Sequence, residues 1–360
     1  MNFWNRIKKP IIGVSPMDGI TDAAFRFIIA NTSNPDVIFT EFVNADGIIK
    51  GSEKVLYSLY YNEGERPIVA QLFGKNPEMF KLASMAISEL GFDGIDINMG
   101  CPSKSVSGHG AGAGLIKTPE LAKEIILATR EGVNEWLKTG TKSLPEKVVT
   151  KISNFKKRLV EQGVEIKKLS TPIPVSVKTR IGFGENDIEN WTNSLMDVKP
   201  NNVTIHGRTY KEMYKGEADW EAIRNAGLII RERSDIQNPT TILGNGDVKS
   251  YSDAIEKSKK YELDGVLVGR ALFGNPWFFS LKTKYKDNKV VVPFNEIKDK
   301  IIEQVYRYSK IYGNKSIYCQ RKHMAWYISG IDNAASLRQK LMQVTKPEDV
   351  EKIMADVLTK

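Results

Sequence analysis

The sequence predicts an α/β protein, a (β/α)8 TIM barrel followed by a smaller all-helical C-terminal domain. Three observations carry this. Eight short β-branched runs alternate with longer amphipathic ones. Several strand runs, such as IPVSV and GVLVG, are apolar throughout, as suits parallel strands buried on both faces. After Trp277 the strand signals stop. The strand runs are Ile11–Ser15, Val37–Phe42, Ile68–Leu72, Gly94–Asn98, Ile173–Lys178, Asn202–His206, Thr240–Gly244 and Gly265–Val268. Helical spacing marks Pro77–Leu90, Pro119–Arg130, Asp219–Arg231 and Ser252–Lys260. Pro77 and Pro119 stand where a first helical turn tolerates proline. The link 43–67 is only weakly helical, over Ala45–Leu59. A doubly wound sheet is the alternative, but no GxGxxG follows the first strand. Helices are expected over 294–312, 316–328, 332–343 and 347–358. The catalytic barrel is therefore placed at 1–283 and the helical domain at 284–360.

Composition narrows the class. The 360 residues are 41% hydrophobic and 26% charged, ordinary for a globular protein and too apolar for a disordered one. No apolar run approaches the roughly 20 residues of a spanning helix. The leading MNFWNRIKKP carries no secretion signal. The two cysteines, Cys101 and Cys319, exclude a disulfide scaffold and offer no metal-ligand spacing. These features point to a reducing cytoplasm, without metal or membrane. The protein is expected to act as a monomer. The chain carries 52 basic and 43 acidic side chains, a net charge of +9. The excess is localised. Residues 132–170 carry +5, residues 282–360 carry +7, and the remainder is −3. Segment 132–170 interrupts the βα alternation and has helical spacing over Val148–Val160. It reads as a solvated insertion, or as an extension of a surface for a polyanion.

In such barrels chemistry sits at the C-terminal ends of the strands. Here those ends carry Gln71, Asn98, Cys101, Lys178, Arg180, His206 and Arg208, a convergence that turn residues alone would not produce. GNGDV after the seventh strand and GR after the eighth bring small residues and main-chain N–H groups together, as a phosphate cradle requires, with Arg270 as a fork. Lys178 suits the pyrimidine end of a flavin, where negative charge grows on reduction. Gln71 and Asn98 offer amide donors and acceptors to a planar, uracil-like edge. Cys101 lies on a glycine-rich loop. Its thiol, with an ordinary pKa near ~8.5, is mainly protonated at neutral pH and can act as an acid. His109, on the same loop, reads as solvated.

The motifs SPMDGITDAAFR (15–26), TEFVNADG (40–47), VAQLFG (69–74), DINMGCPSKSV (96–106), VKTRIGF (177–183), IHGRT (205–209), LGNGDV (243–248) and DGVLVGRALFGNPW (264–277) resemble the tRNA-dihydrouridine synthase family, in order, over about the first 280 residues. The tail, with RKHMAWY at 321–327, is similar to the tRNA-binding domain of the bacterial members. The resemblance implies FMN in the barrel mouth and NADPH as its reductant. It implies Pro16 and Met17 against the isoalloxazine, and Gln71, Lys178 and His206 on its polar edge. Asn245, Gly246, Asp247, Gly269 and Arg270 would hold the ribityl chain and phosphate. It also implies Cys101 as general acid, and Asn98 and Arg180 on the target uracil. tRNA is the implied partner, held by the helical tail. The tail's own charges lead to the expectation that Arg321, Lys322 and Arg338 meet phosphates and that His323 touches RNA. The 77 residues from Cys101 to Lys178 exceed the family spacing, and segment 132–170 accounts for the excess. Two other readings remain open: a flavin dehydrogenase acting on a free pyrimidine, and a non-catalytic RNA-binding barrel. The basic tail has no purpose in the first, and flavin in the purified protein would exclude the second.

Overall fold

The computed structural model describes residues 2–166, 169–282, 292–330 and 333–357. Eight parallel strands close into a barrel in sequence order. They are β1 (Ile11–Val14), β2 (Ile38–Asn44), β3 (Ile68–Phe73), β4 (Gly94–Met99), β5 (Val175–Arg180), β6 (Asn202–His206), β7 (Thr241–Asn245) and β8 (Gly265–Val268), which pairs back onto β1. Register decides which side chains share the interior. Gln71 lies opposite Asp96, Asp96 opposite Ser176, Asn98 opposite Lys178, Arg180 opposite His206, and His206 opposite Asn245. Because strand side chains alternate faces, these positions all project into the barrel.

The helices follow in order: α1 (Ala23–Ser33), α2 (Ala45–Ile49), α3 (Glu53–Tyr57), α4 (Pro77–Glu89), α5 (Lys104–Ser107), α6 (Pro119–Thr139), α7 (Glu146–Glu161), α8 (Ile188–Met196), α9 (Trp220–Arg233) and α10 (Tyr251–Lys260). Their starts are set by side-chain caps. Asp22 accepts from the Phe25 N–H, Asn76 from Glu78, Asp219 from Ala222 and Ser250 from Asp253. Helix α6 continues well past the expected Arg130. It runs straight through Gly132, where a Cβ would lie 2.0 Å from the Lys81 carbonyl oxygen. The glycine is there because α6 presses on α4, not because the helix ends.

The basic segment after Gly132 is not a solvated appendage. The second crossover has only α2 and α3, five residues each, too short to cover the barrel wall. Helix α7 packs there instead and buries Val148, Ile152, Phe155 and Leu159 in the barrel's apolar cluster. Phe155 meets the Tyr60 ring edge-on at 4.7 Å. Two of its lysines face barrel carboxylates, Lys151 on Glu53 at 3.3 Å and Lys156 on Glu89 at 2.6 Å. Part of the +5 is therefore matched by the barrel's own acid. The end of the segment lies at the rim opposite the mouth, where the Glu165 N–H donates to Glu63 just ahead of β3. The expectation of a solvated insertion is corrected accordingly, while Lys147, Lys157 and Arg158 stay exposed on the outer face of α7.

Beyond the barrel stand α11 (Phe294–Tyr312), a 3-10 turn over Asn314–Gln320, α12 (Arg321–Tyr327), α13 (Ala334–Leu341) and α14 (Pro347–Asp356). The expected single helix 316–328 is thus split at Gln320. The stretch 283–291 around the expected domain boundary lies outside the described residues. These helices have their own apolar cluster, including Ile301, Val305, Met324, Leu341 and Val350. A buried polar chain joins them to the barrel. Tyr327 donates to Gln304 at 3.0 Å, Gln304 to Gln320 at 2.8 Å, and Gln320 to Asp22 at 2.9 Å. The expectation that His323 touches RNA is corrected here. It is 2% exposed, packed between Phe25 and Trp326, and burial pushes its pKa down to about 3. Tyr308 is buried as core, whereas Tyr306 is exposed and donates to Glu351.

Candidate active site

The strand ends open on a cavity of about 570 Å3. Its wall begins with Pro16 and Met17 after β1. That turn is fixed by the Met17 N–H, which donates to Thr21 Oγ1 at 3.0 Å. Across the mouth, Gln71 is fully buried. It donates through Nε2 to Asp96 at 2.7 Å and accepts through Oε1 from Asn98 Nδ2 at 2.9 Å. Asn98 Oδ1 in turn accepts the N–H groups of Gly100 (3.1 Å) and Cys101 (2.9 Å). The Cys101 side chain is held in the mouth wall with Val106 and Ala111. Burial pushes its thiol above the ordinary value, against the pull of the Ser103 N–H, Arg180 and Lys178.

Lys178 Nζ donates to Asn245 Oδ1 at 3.0 Å. Burial and the neighbouring Arg180 push its amine down to about 8, against the opposing charge of Asp96. Arg180 is locked by main-chain carbonyls: Nε on Gly100 at 2.7 Å, and Nη1 on Thr209 at 2.9 Å and Met213 at 3.1 Å. Burial lowers its pKa to about 10. His206 is driven well below its ordinary value by burial and by four cations, Lys178, Arg180, Arg208 and Arg270. It is a neutral hydrogen-bonding ring, not a charge.

The β7 and β8 ends differ from the rest. Asn245 donates to the Leu267 carbonyl at 2.9 Å. Gly246 at φ +130° and Gly269 keep bare main chain on the cavity wall. The Asp247 carboxylate is fully engaged. Oδ2 receives Arg208 at 2.6 Å and the Ala218 N–H at 2.8 Å, and Oδ1 receives Arg270 at 2.6 Å. Burial opposes its ionisation, but these donors outweigh it and hold it below the usual carboxylate range.

Residues 13–153 and 154–360 match the model of the dihydrouridine synthase family. A probable tRNA-dihydrouridine synthase of Staphylococcus aureus is 33% identical over 95% of this chain and 91% of its own. The chain belongs to the dihydrouridine synthase family. A probable tRNA-dihydrouridine synthase 2 of Bacillus subtilis is 30% identical over 99% of this chain and 96% of its own. Among solved structures, the old yellow enzyme of Trypanosoma cruzi aligns with a TM-score of 0.47 at 10% identity, over 79% of this chain and 90% of that one.

In this dihydrouridine synthase the mouth brings together Pro16, Met17, Gln71, Asn98, Cys101, Lys178, Arg180, His206, Asn245, Gly246, Asp247, Gly269 and Arg270, all on one cavity. The tail residues stand apart from it. Arg321 is half-buried and donates to the Val344 carbonyl at 2.9 Å. Lys322 is exposed and reaches the Gly19 carbonyl of the β1–α1 turn, and Arg338 is exposed on α13. Sequence reasoning counted Arg208 among the converging groups without giving it a task. Its task is to hold Asp247. Asp96 was not singled out at all, although its place two residues before Asn98 on one strand puts both on the inner face.

Proposed function

We propose that the protein is an FMN-dependent tRNA-dihydrouridine synthase, reducing the C5–C6 bond of uridines in tRNA with NADPH as reductant. The observation that carries this is a buried cysteine in the mouth wall of a family barrel whose strand ends supply a cofactor's donors. The donor set suits FMN. The cavity is of the size cofactor sites have. A Cβ on Gly246, at φ +130°, would lie 2.6 Å from Ala218, so only glycine keeps that part of the cradle open, and one on Gly269 would crowd Met17 Sδ at 3.3 Å. Exposed Arg270 sits at the same end for a phosphate.

When bound, FMN supplies the two-electron chemistry, with hydride passing to uracil C6. The protein does the rest. Pro16 and Met17 pack against the ring plane, while Lys178, Gln71 and His206 hold its polar edge. Asn245, Gly246, Gly269, Arg270 and the main chain of Asp247 hold the ribityl chain and phosphate, since the Asp247 carboxylate is already occupied. Asn98 and Arg180 hold the uracil, and Cys101 Sγ delivers its proton to C5. NADPH and the uridine take turns in this one mouth. A uridine must leave its stack to enter, so a second surface must grip the tRNA. The basic C-terminal helices supply it.

The test is purification followed by assay. The protein should carry flavin absorbance and form dihydrouridine in unmodified tRNA with NADPH; colourless protein without product would overturn the reading. Arg338→Gln should lower the slope of log affinity for tRNA against log salt by about one, leaving NADPH oxidation unchanged. An unchanged slope would remove Arg338 from the tRNA surface.

A further inference from the structure

We propose that Asp96 is a positioning residue for the mouth: from the barrel interior it sets which way the Gln71 and Asn98 amides point, and through them the Cys101 main chain. The inference deepens the proposed function and rests on that reading for its consequence, though not for its test.

A side-chain amide has a donor end and an acceptor end of nearly equal size, so its direction is decided by its partners. Ionised Asp96 only accepts. It is fully buried, with Oδ2 receiving Gln71 Nε2 at 2.7 Å and Oδ1 receiving Ser176 Oγ at 2.8 Å. Gln71 Oε1 must then face Asn98, whose Nδ2 donates to it. Asn98 Oδ1 is thereby turned to the N–H groups of Gly100 and Cys101. If the Gln71 amide alone turned, its oxygen would meet the Asp96 carboxylate and its nitrogen the Asn98 nitrogen; if Asn98 turned with it, the Asn98 nitrogen would meet the N–H groups of Gly100 and Cys101. The direction also determines what the cavity receives. The amide hydrogens left over on Gln71 and Asn98 are donors, suited to the carbonyl-bearing edge of a planar ring.

Charge supports the same role. The ionisable groups around this floor are Asp96, Lys178, Arg180, His206 and Cys101, with Arg208 and Arg270 acting on His206 and Asp18 on Cys101. Among them Asp96 is the carboxylate that opposes the loss of the Lys178 proton. Burial raises Asp96 to about 6, while Gln71, Ser176 and Lys178 pull it down. The group is therefore an acceptor-only carboxylate at neutral pH and gains an O–H donor that competes with this arrangement as pH falls through about 6.

The test follows the side-chain amide signals of Gln71 and Asn98 by NMR in the full-length protein free of flavin. In wild type both should shift with a midpoint near pH 6. In Asp96→Asn the pH dependence should vanish. In Ser176→Ala, which keeps the carboxylate but removes one donor, the midpoint should move to higher pH. That variant also keeps the test open if Asp96→Asn does not fold. Gln71 and Asn98 amide signals in Asp96→Asn that match wild type at neutral pH, or a Ser176→Ala midpoint equal to wild type, would overturn the proposal. Flavin binding is then measured separately. FMN affinity that falls as pH rises through about 8 in wild type should fall about one pH unit lower in Asp96→Asn, as Lys178 loses its counter-charge. A wild type that shows the amide titration but binds no FMN would sink the functional reading and leave the positioning role standing.

Discussion

Replacing Cys101 by alanine is expected to cut dihydrouridine formation by ~10²–10⁴-fold, the range a general acid contributes, with NADPH oxidation near the wild-type rate. The asymmetry follows from where the thiol stands. Cys101 packs with Val106 and Ala111 in the wall, while Lys178, Gln71 and His206 are carried by other strands. Losing one sulfur leaves the proposed cofactor contacts in place and removes the proton for C5. The pH profile gives a second reading. Burial raises the thiol's pKa, so the acid form is fully present below its ordinary range and is lost only as pH rises through the raised value. Product formation should stay level through neutral pH and decline on the alkaline side. Stopped-flow reduction and dihydrouridine mapping measure the two half-reactions separately. Wild-type product from Cys101→Ala would remove Cys101 from the acid role.

The barrel was legible because each of its strands announces itself locally, by β-branched runs between turn residues. The mouth was legible for a related reason: strand ends converge whatever lies between them. What escaped depends on packing between distant segments. Gly132 looks like punctuation in the chain, and only the approach of α6 to the Lys81 carbonyl shows it to be a contact glycine. The basic charge of α7 suggests a surface, yet its apolar face at Val148, Ile152, Phe155 and Leu159 fills the wall that α2 and α3 leave uncovered. His323 misled in the same way. Its basic neighbours suggest RNA, while its spacing from Tyr327 puts both on the inner side of α12. Asp96 was within reach of the alternation rule, but a buried carboxylate below the mouth carries no sign of its own until its partners are seen.

Arg26→Met is expected to destabilise the protein by ~3–5 kcal/mol, the cost of leaving one partner of a buried ion pair unmatched. Arg26 closes the first family motif and has no exposed side-chain surface. Neither has Glu65, whose Oε2 receives Arg26 Nε at 2.7 Å. Arg26 also donates to the Thr21 carbonyl at 2.6 Å and to the Tyr60 carbonyl. It thus joins the start of α1, the approach to β3 and, through Thr21, the turn that carries Met17 into the mouth. Without it, Glu65 keeps only the Asn62 side-chain and main-chain donors, and burial favours its protonated form. The double variant Arg26→Met with Glu65→Met separates the two tasks. Removing both charges should recover most of the lost stability, since replacing a whole buried pair by apolar side chains is often neutral. The Thr21 carbonyl still lacks its donor, so the turn at Met17 should stay loosened and FMN should bind more weakly than in wild type. Urea midpoints read the first effect and flavin dissociation the second. A single variant as stable as wild type would show that the pair contributes nothing to the fold. A double variant with wild-type FMN affinity would show that the turn is held without Arg26.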